Sequence, residues 1–380
     1  MTPVILKYLE QMITHNASDL YLTTGAKALL RIDDELHAIS EKALTEDDIQ
    51  EALGNTLTTR QMRDFESHME LNTSLDIGRY GRFRLNALKQ RQHPALVIRR
   101  IVSDIPDFET LRLPSLLGQL SLMKRGIIFI TGMTGAGKST TLASMVDYRN
   151  QNSEGHIITI EDPIEFHHEH KRSLITQREV GVDTESYAIA LKNSLRQRPD
   201  VILIGEVRDR EVMEQTMMAA ETGHLCLATI HATNSYQTIE RIINLFPDDM
   251  HDQIRLSLSM NLKAILSQRL VPCLQGGMTL ALELMLNQGF IKELIYEGKI
   301  GKIREVIQQN SNSGMQTFDQ ALIKLYMEGS ISEDVAVAQA DIPAEMQMKI
   351  KQVNLEKEKD EFEVGSGLSS LDTSLLSISD

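Results

Sequence analysis

The rhythm of apolar and polar positions changes near residue 116. Before it, short amphipathic stretches dominate. Val4, Ile5, Tyr8, Leu9 and Met12 recur at helical spacing, and DLYL and ALLRID, separated by TTGA, read as strands. Thr45 is the predicted cap of a helix whose first turn carries Glu46, Asp47 and Asp48, acidic groups suited to the positive end of the helix dipole. SLDIGRYGRFRLNALKQR and PALVIRRI then alternate as paired strands do. Residues 1–105 are expected to form an α+β domain, and 106–115, with prolines at 106 and 114, a linker.

From Leu116 strands alternate with helices, which predicts βαβ units, a mostly parallel sheet and an α/β fold class. The predicted strands are GIIFIT, HIITI, DVILI, HLCLATI, ILSQRLV and MTLALELML. The predicted helices include TLASMVDYRNQN, ESYAIALKNSLRQR, REVMEQTMMAAETG and YQTIERIINLF, the last with Ile239, Ile242, Ile243 and Phe246 on one face. After Asn287 the pattern is helical, with a stripe of Phe318, Ala321, Leu322 and Leu325 and a capping box expected from Ser330 to Glu333. This second domain is expected over 116–355. The tail 356–380, charge-rich and then rich in Gly and Ser, is expected to be disordered.

Composition narrows the function classes. A net charge of -14 repels a polyphosphate backbone, and the absence of Trp leaves few stacking platforms, so nucleic acid is disfavoured as a partner. The two cysteines suit reduced thiols, no stretch approaches the ~20 apolar residues of a membrane span, and the N-terminus lacks an export signal. The expectation is a soluble cytoplasmic protein.

The chemistry concentrates in GMTGAGKST, which is Gly132, Met133, Thr134, Gly135, Ala136, Gly137, Lys138, Ser139 and Thr140. Its glycines let backbone amides face phosphate oxygens while the following helix contributes its positive end. Lys138 would neutralise the β- and γ-phosphates of ATP, and Ser139 would place its hydroxyl on Mg²⁺.

Hydrolysis needs acidic partners downstream. Glu161, Asp162 and Glu165 follow one predicted buried strand, and Glu206 follows another, in each case at the carboxyl end where ligands of open α/β sheets bind. His231 emerges at the end of the next strand, and His224 stands at its start. The run HHEHK at 167–171 has the composition of a metal site, but adjacent hairpin residues point to opposite faces, which favours a solvated turn. Arg79, Arg82, Arg84, Arg91, Arg99 and Arg100 admit three readings: a solvated strand face, a nucleic-acid patch, or a source of arginines for a phosphate. Arg82 and Arg84 share a strand face, so two guanidinium groups would converge on one anion.

Taken in order, SDLYLTTGAKALLRIDDEL, GRFRLN, the phosphate loop, TIEDPIEF, SLITQREVGVDT, LRQRPDVILIGEVRD and TGHLCLATIHATNS resemble the secretion-superfamily motor ATPases. Within them the match is to type IV pilus retraction ATPases of the PilT/PilU kind, over roughly residues 1–345; the GMQTFDQAL segment and acidic extension point to the PilU branch. The resemblance implies a PAS-like N-terminal domain, a RecA-like ATPase domain and a homo-hexameric ring. It further implies Glu165 as general base, Glu206 as metal partner, His231 as γ-phosphate sensor, and Arg82 and Arg84 completing the site. The implied partners are a paralogous PilT-type motor and an inner-membrane platform protein at the pilus base. FIKELIYEGKI replaces the family's AIRNLIRE-type segment, a departure that bears on independent retraction and not on ATP binding, so the expectation is a motor acting by itself or as a PilT-dependent accessory. Two cysteines in all argue against the four-cysteine zinc module of the assembly branch. The alternative is a regulatory nucleotide-binding subunit that assembles with a paralogous motor.

Overall fold

The computed structural model describes residues 4–32, 35–101 and 104–369, without the side chains of Val4, Arg79 and residues after 356. The chain divides into two compact units. The first holds Met1–Ile105, Glu161–Glu169 and Gln177–Ser186; the second holds the remainder.

In the first unit α1 (Val4–Thr14) precedes β1 (Asp19–Thr23), β2 (Leu29–Ile32) and β3 (Glu35–Ala38). Two helices follow, α2 (Glu46–Thr56) and α3 (Thr59–His68), and then β4 (Glu70–Asp76), β5 (Arg82–Gln90) and β6 (His93–Arg100). The six strands form one sheet in the order β3-β2-β1-β6-β5-β4, and every assigned pair is antiparallel. Thr45 caps α2 as expected, and the acid at the third helical position, Asp48, closes a capping box. One face of the sheet is buried with the helices: Leu20, Leu22, Phe83, Leu85 and Ile98 pack with Ile5, Leu9, Leu53 and Phe65. Alternation along β5 buries Phe83, Leu85 and Ala87 and turns Arg82 and Arg84 to the other face.

The second unit begins with α4 (Leu116–Ser121), β7 (Gly126–Gly132), α5 (Lys138–Asn152) and β8 (Gly155–Glu161). It continues through β9 (Ser173–Glu179), whose last three residues fall in the first unit, α6 (Tyr187–Ser194), β10 (Val201–Ile204), α7 (Arg210–Glu221) and β11 (Leu225–Ile230). Then come α8 (Ser235–Ile243), α9 (His251–Asn261) and the strands β12 (Leu262–Pro272) and β13 (Met278–Leu286). The sheet order is β13-β12-β7-β11-β10-β8-β9. β12, β7, β11, β10 and β8 run parallel, and β13 is antiparallel to β12. Central strands in such a sheet are buried on both faces, which is why β7, β10 and β11 are apolar without alternation.

The chain ends in α10 (Phe290–Tyr296), α11 (Ile303–Gln309), α12 (Phe318–Met327), α13 (Glu333–Gln339) and α14 (Pro343–Ser369). Phe318, Leu322 and Leu325 of α12 pack with Ile331, Met346 and Ile350. The Arg269 guanidinium lies 3.8 Å from the Phe318 ring centroid and pairs with Asp341 at 2.6 Å. The capping box expected at Ser330 is corrected: α13 is capped by Ser332, whose hydroxyl accepts from the Val335 amide, while Ser330 closes the preceding helix. α14 runs to Ser369, into the stretch expected to lack structure; residues 370–380 lie outside those described. Among the described residues no helix is long and apolar enough to cross a membrane.

Candidate functional site

β7 delivers the glycine-rich loop directly into α5. Gly132 has φ +149° and sits against β12, where an added Cβ would come within 2.6 Å of the Gln268 carbonyl oxygen. Gly135 and Gly137 have open space around them but φ of +80° and +81°, so there the requirement is the left-handed backbone and not room. With that turn made, α5 opens at Lys138, and its first-turn amides are directed at the loop, as the opening turn of any helix leaves them without intrahelical acceptors. Nζ of Lys138 donates to the carbonyls of Gly132 at 2.9 Å and Met133 at 2.8 Å, so the ammonium is curled over the loop. Ser139 and Thr140 are half-buried beside it, and Ala136 is buried beneath, whereas Met133, Thr134 and Gly135 are exposed.

Parallel pairing places the ends of β7, β10 and β11 along one edge of the sheet. There the backbone pins Glu206 from both sides: the Gly205 amide donates to Ile160 O at 2.8 Å and the Val207 amide to Thr229 O at 2.9 Å. One Glu206 oxygen lies 3.1 Å from His231 Nε2, and the other accepts from Arg208 Nε at 2.6 Å. Glu206 and His231, predicted separately, are therefore in contact. His224, at the far end of β11, is occupied by the turn before it, its Nδ1 lying 3.0 Å from Ala219 O.

Two residues that sequence reasoning did not single out hold this edge together. Nε2 of Gln268, buried in β12, donates to Thr141 Oγ1 of α5 at 2.7 Å. Glu283, buried in β13, accepts from the amide and hydroxyl of Ser235, both at 2.7 Å, and so satisfies the first amide of α8, whose N-cap is Asn234, just after the His231 loop. Burial pushes the Glu283 carboxyl above its ordinary range against the hydrogen bonds from Ser235. A lone acid inside MTLALELML was the available signal.

The remaining predicted residues belong to the first unit, except His170 and Lys171 of the HHEHK run, which fall in the second. Glu165 is exposed, next to buried Ile164, whose amide donates to Glu179 Oε2 at 3.3 Å. Gln177 Nε2 donates to Phe166 O at 2.9 Å and Glu161 Oε1 at 3.3 Å, which ties the two ends of the segment. Glu179 is itself buried; desolvation raises its pKa, opposed by the Ile164 amide, the Arg82 charge and Ser74. Arg82 thus faces a carboxylate of its own unit, and its Nε is buried without a hydrogen-bond partner among the described residues. Arg84 is half-buried on the same strand face. Arg99 pairs with buried Asp19 at 2.7 Å and Arg100 bonds Asn16, so these two have structural roles, while Arg91 sits exposed in the β5–β6 turn. The Arg79 side chain lies outside the description. In the HHEHK run His168 is buried and His167 and His170 are exposed; among the described residues no group of three or more His, Cys, Asp or Glu is placed to hold a metal ion.

Comparison with known proteins bears directly on this arrangement. The family model described as Type II/IV secretion system protein matches residues 1–330. The chain belongs to that family. Within the type II/IV secretion system proteins it is 45% identical over 346 residues to the type IV pilus ATPase PilU of Pseudomonas aeruginosa, covering 91% of each chain. It is 39% identical over 327 residues to the retraction ATPase PilT of the same organism, covering 86% of this chain and 95% of that one. Among solved structures, the pilus retraction motor PilT with bound ADP superposes with a TM-score of 0.86 at 40% identity, covering 90% of this chain and 99% of that one. The resemblance read from the motifs, to pilus retraction ATPases of the PilT/PilU kind, is borne out.

Proposed function

We propose that this chain is an ATP-hydrolysing motor of type IV pilus retraction and twitching motility. One observation carries the reading. A phosphate-binding loop and the Glu206–His231 pair share one sheet edge, in a chain that matches PilU and PilT over most of its length. Lys138 and the loop amides hold the phosphates of ATP. His231 contacts the γ-phosphate, and Glu165 takes the proton of the attacking water.

Mg²⁺ fits the donors present. Ser139 offers a hydroxyl, and each Glu206 oxygen, while accepting one bond, keeps a second acceptor site; hard oxygens completed by phosphate and water are what this ion takes. Bound there, it would neutralise charge on the β- and γ-phosphates.

The finer architecture follows the same reading. The antiparallel order β3-β2-β1-β6-β5-β4 with α2 and α3 between β3 and β4 supports a PAS-like domain over 1–105, joined through 106–115 to a RecA-like domain over 116–355. Six copies form a homo-hexameric ring in which Arg82 and Arg84 act on a neighbour's nucleotide. The motor works in the cytoplasm at the inner membrane, against a pilus platform protein and alongside a paralogous PilT-type ATPase; nucleic acid is not a partner.

The test is Lys138→Ala. It removes the main phosphate countercharge, so ATP hydrolysis and twitching are expected to fall to background while the melting temperature is kept, and nucleotide affinity to drop about tenfold or more. Unchanged turnover would overturn the assignment.

A further inference from the structure

The strands that end at the phosphate loop begin, at their opposite ends, on a second recess. A cavity of about 480 Å³ lies between the last turn of α7, α9 and the first residues of β7 and β12. Its apolar wall is Met217, Leu256 and Met260, with Leu256 45% and Met260 63% exposed. Methionine adapts to irregular apolar shapes, which suits a surface that receives a flexible segment.

The rim is cationic. Lys263 lays its stem across Gly126, where an added Cβ would meet Lys263 Cε at 2.4 Å; the glycine, at φ +118°, makes room for that stem. Burial, and then the charges of Lys292 and Arg125, depress the Lys263 pKa, the mark of cations crowded together. The one carboxylate in the lining, Glu221, accepts from Ser257 Oγ at 2.5 Å. None of these groups belongs to the nucleotide site.

An apolar wall beneath surplus positive charge fits an acidic segment with aliphatic side chains, and the chain itself carries one. From Asp360 to Asp380 there are five acidic residues and no Lys, Arg or His. Residues 371–380, LDTSLLSISD, set Leu371, Leu375, Leu376 and Ile378 between Asp372 and Asp380. Leu375 stands six residues beyond Ser369, where α14 ends, a reach of about 20 Å when extended. We propose that the recess is a docking site for residues 371–380 of this chain. The aliphatic side chains enter against Met217, Leu256 and Met260, and the aspartates meet Arg125, Lys263 and Lys292.

Photo-crosslinking in the full-length protein tests this. With p-benzoylphenylalanine in place of Leu375, irradiation and peptide mapping by mass spectrometry are expected to place the adducts on residues 210–221 or 251–263. Arg125→Glu reverses one exposed rim charge outside the nucleotide site and should lower the adduct yield about tenfold with ATPase activity unchanged. Lys263→Glu should do the same, and the two variants guard against a folding defect in either. Adducts on another surface, no adducts, or wild-type yields in both charge-reversed proteins would overturn the proposal.

Discussion

Nε2 of His231 lies 3.1 Å from Oε1 of Glu206, which joins the loop after β11 to the end of β10 across the edge where β7 presents its phosphate loop. The His231 side chain is 41% and the Glu206 side chain 20% exposed, so the contact is reachable by solvent and its worth is modest. If the two act as one unit, the losses in kcat from His231→Ala and Glu206→Gln should not add. The double variant should fall short of the sum by about 1 kcal/mol, or about fivefold. Additive losses in a double-mutant cycle would mean that the contact carries no coupling and that each residue works alone.

Glu165→Gln should bind nucleotide normally and hydrolyse it about 10²–10⁴ times more slowly, because an amide keeps the shape of the side chain but cannot accept a proton. Glu161→Gln is the control. Its carboxylate accepts from Gln177 and holds the segment, so it should retain more activity. The opposite ranking in steady-state assays would move the base to Glu161.

Arg82 and Arg84 should differ, although they share a strand face. Arg82→Ala strips buried Glu179 of its nearby cation and should lower stability by about 1–3 kcal/mol in urea titrations, whereas Arg84→Ala should leave stability almost unchanged. For action in trans, mixing Arg84→Ala with Lys138→Ala should restore some ATPase activity. No recovery after verified subunit exchange would argue that the arginines serve their own chain.

Glu283 gives a pH dependence whose sign is fixed by burial. Its folded-state pKa is raised above the ordinary glutamate value of 4.5, so between the two values the folded chain binds more protons than the unfolded one. Its contribution is therefore most favourable below about pH 4.5 and declines as the pH rises through the folded value. Glu283→Gln keeps an acceptor for Ser235 and should flatten that slope. Glu283→Leu orphans the Ser235 amide and hydroxyl and should cost about 1–3 kcal/mol. Thermal unfolding followed from about pH 4 upward measures both; equal slopes for wild type and Glu283→Gln would remove Glu283 from the account.

Much of this protein was legible because its signals are local. The phosphate loop is contiguous, its glycines are read one by one, and strand, loop and helix follow without interruption from Gly126 to Asn152. The doubly buried strands β7, β10 and β11 announced themselves as short apolar runs, and β5 as an alternation that put Arg82 and Arg84 on one face. Two elements had no such signature. SLITQRE, now β9, is buried irregularly, and α9 leaves Leu256 and Met260 exposed, which blurs its stripe.

What only the tertiary structure decided is which distant side chains meet. Gln268 reaches Thr141 across 127 positions of sequence, and Glu283 accepts from the first amide of a helix 48 residues earlier. Glu179 gathers Ile164 and Arg82 into the first unit, and Glu206 and His231 meet because β10 and β11 pair in parallel. Periodicity reports which face of an element is apolar. It carries no information about which element packs there, so the amino-acid sequence by itself determined the chemistry available, and the sheet order determined which groups share it.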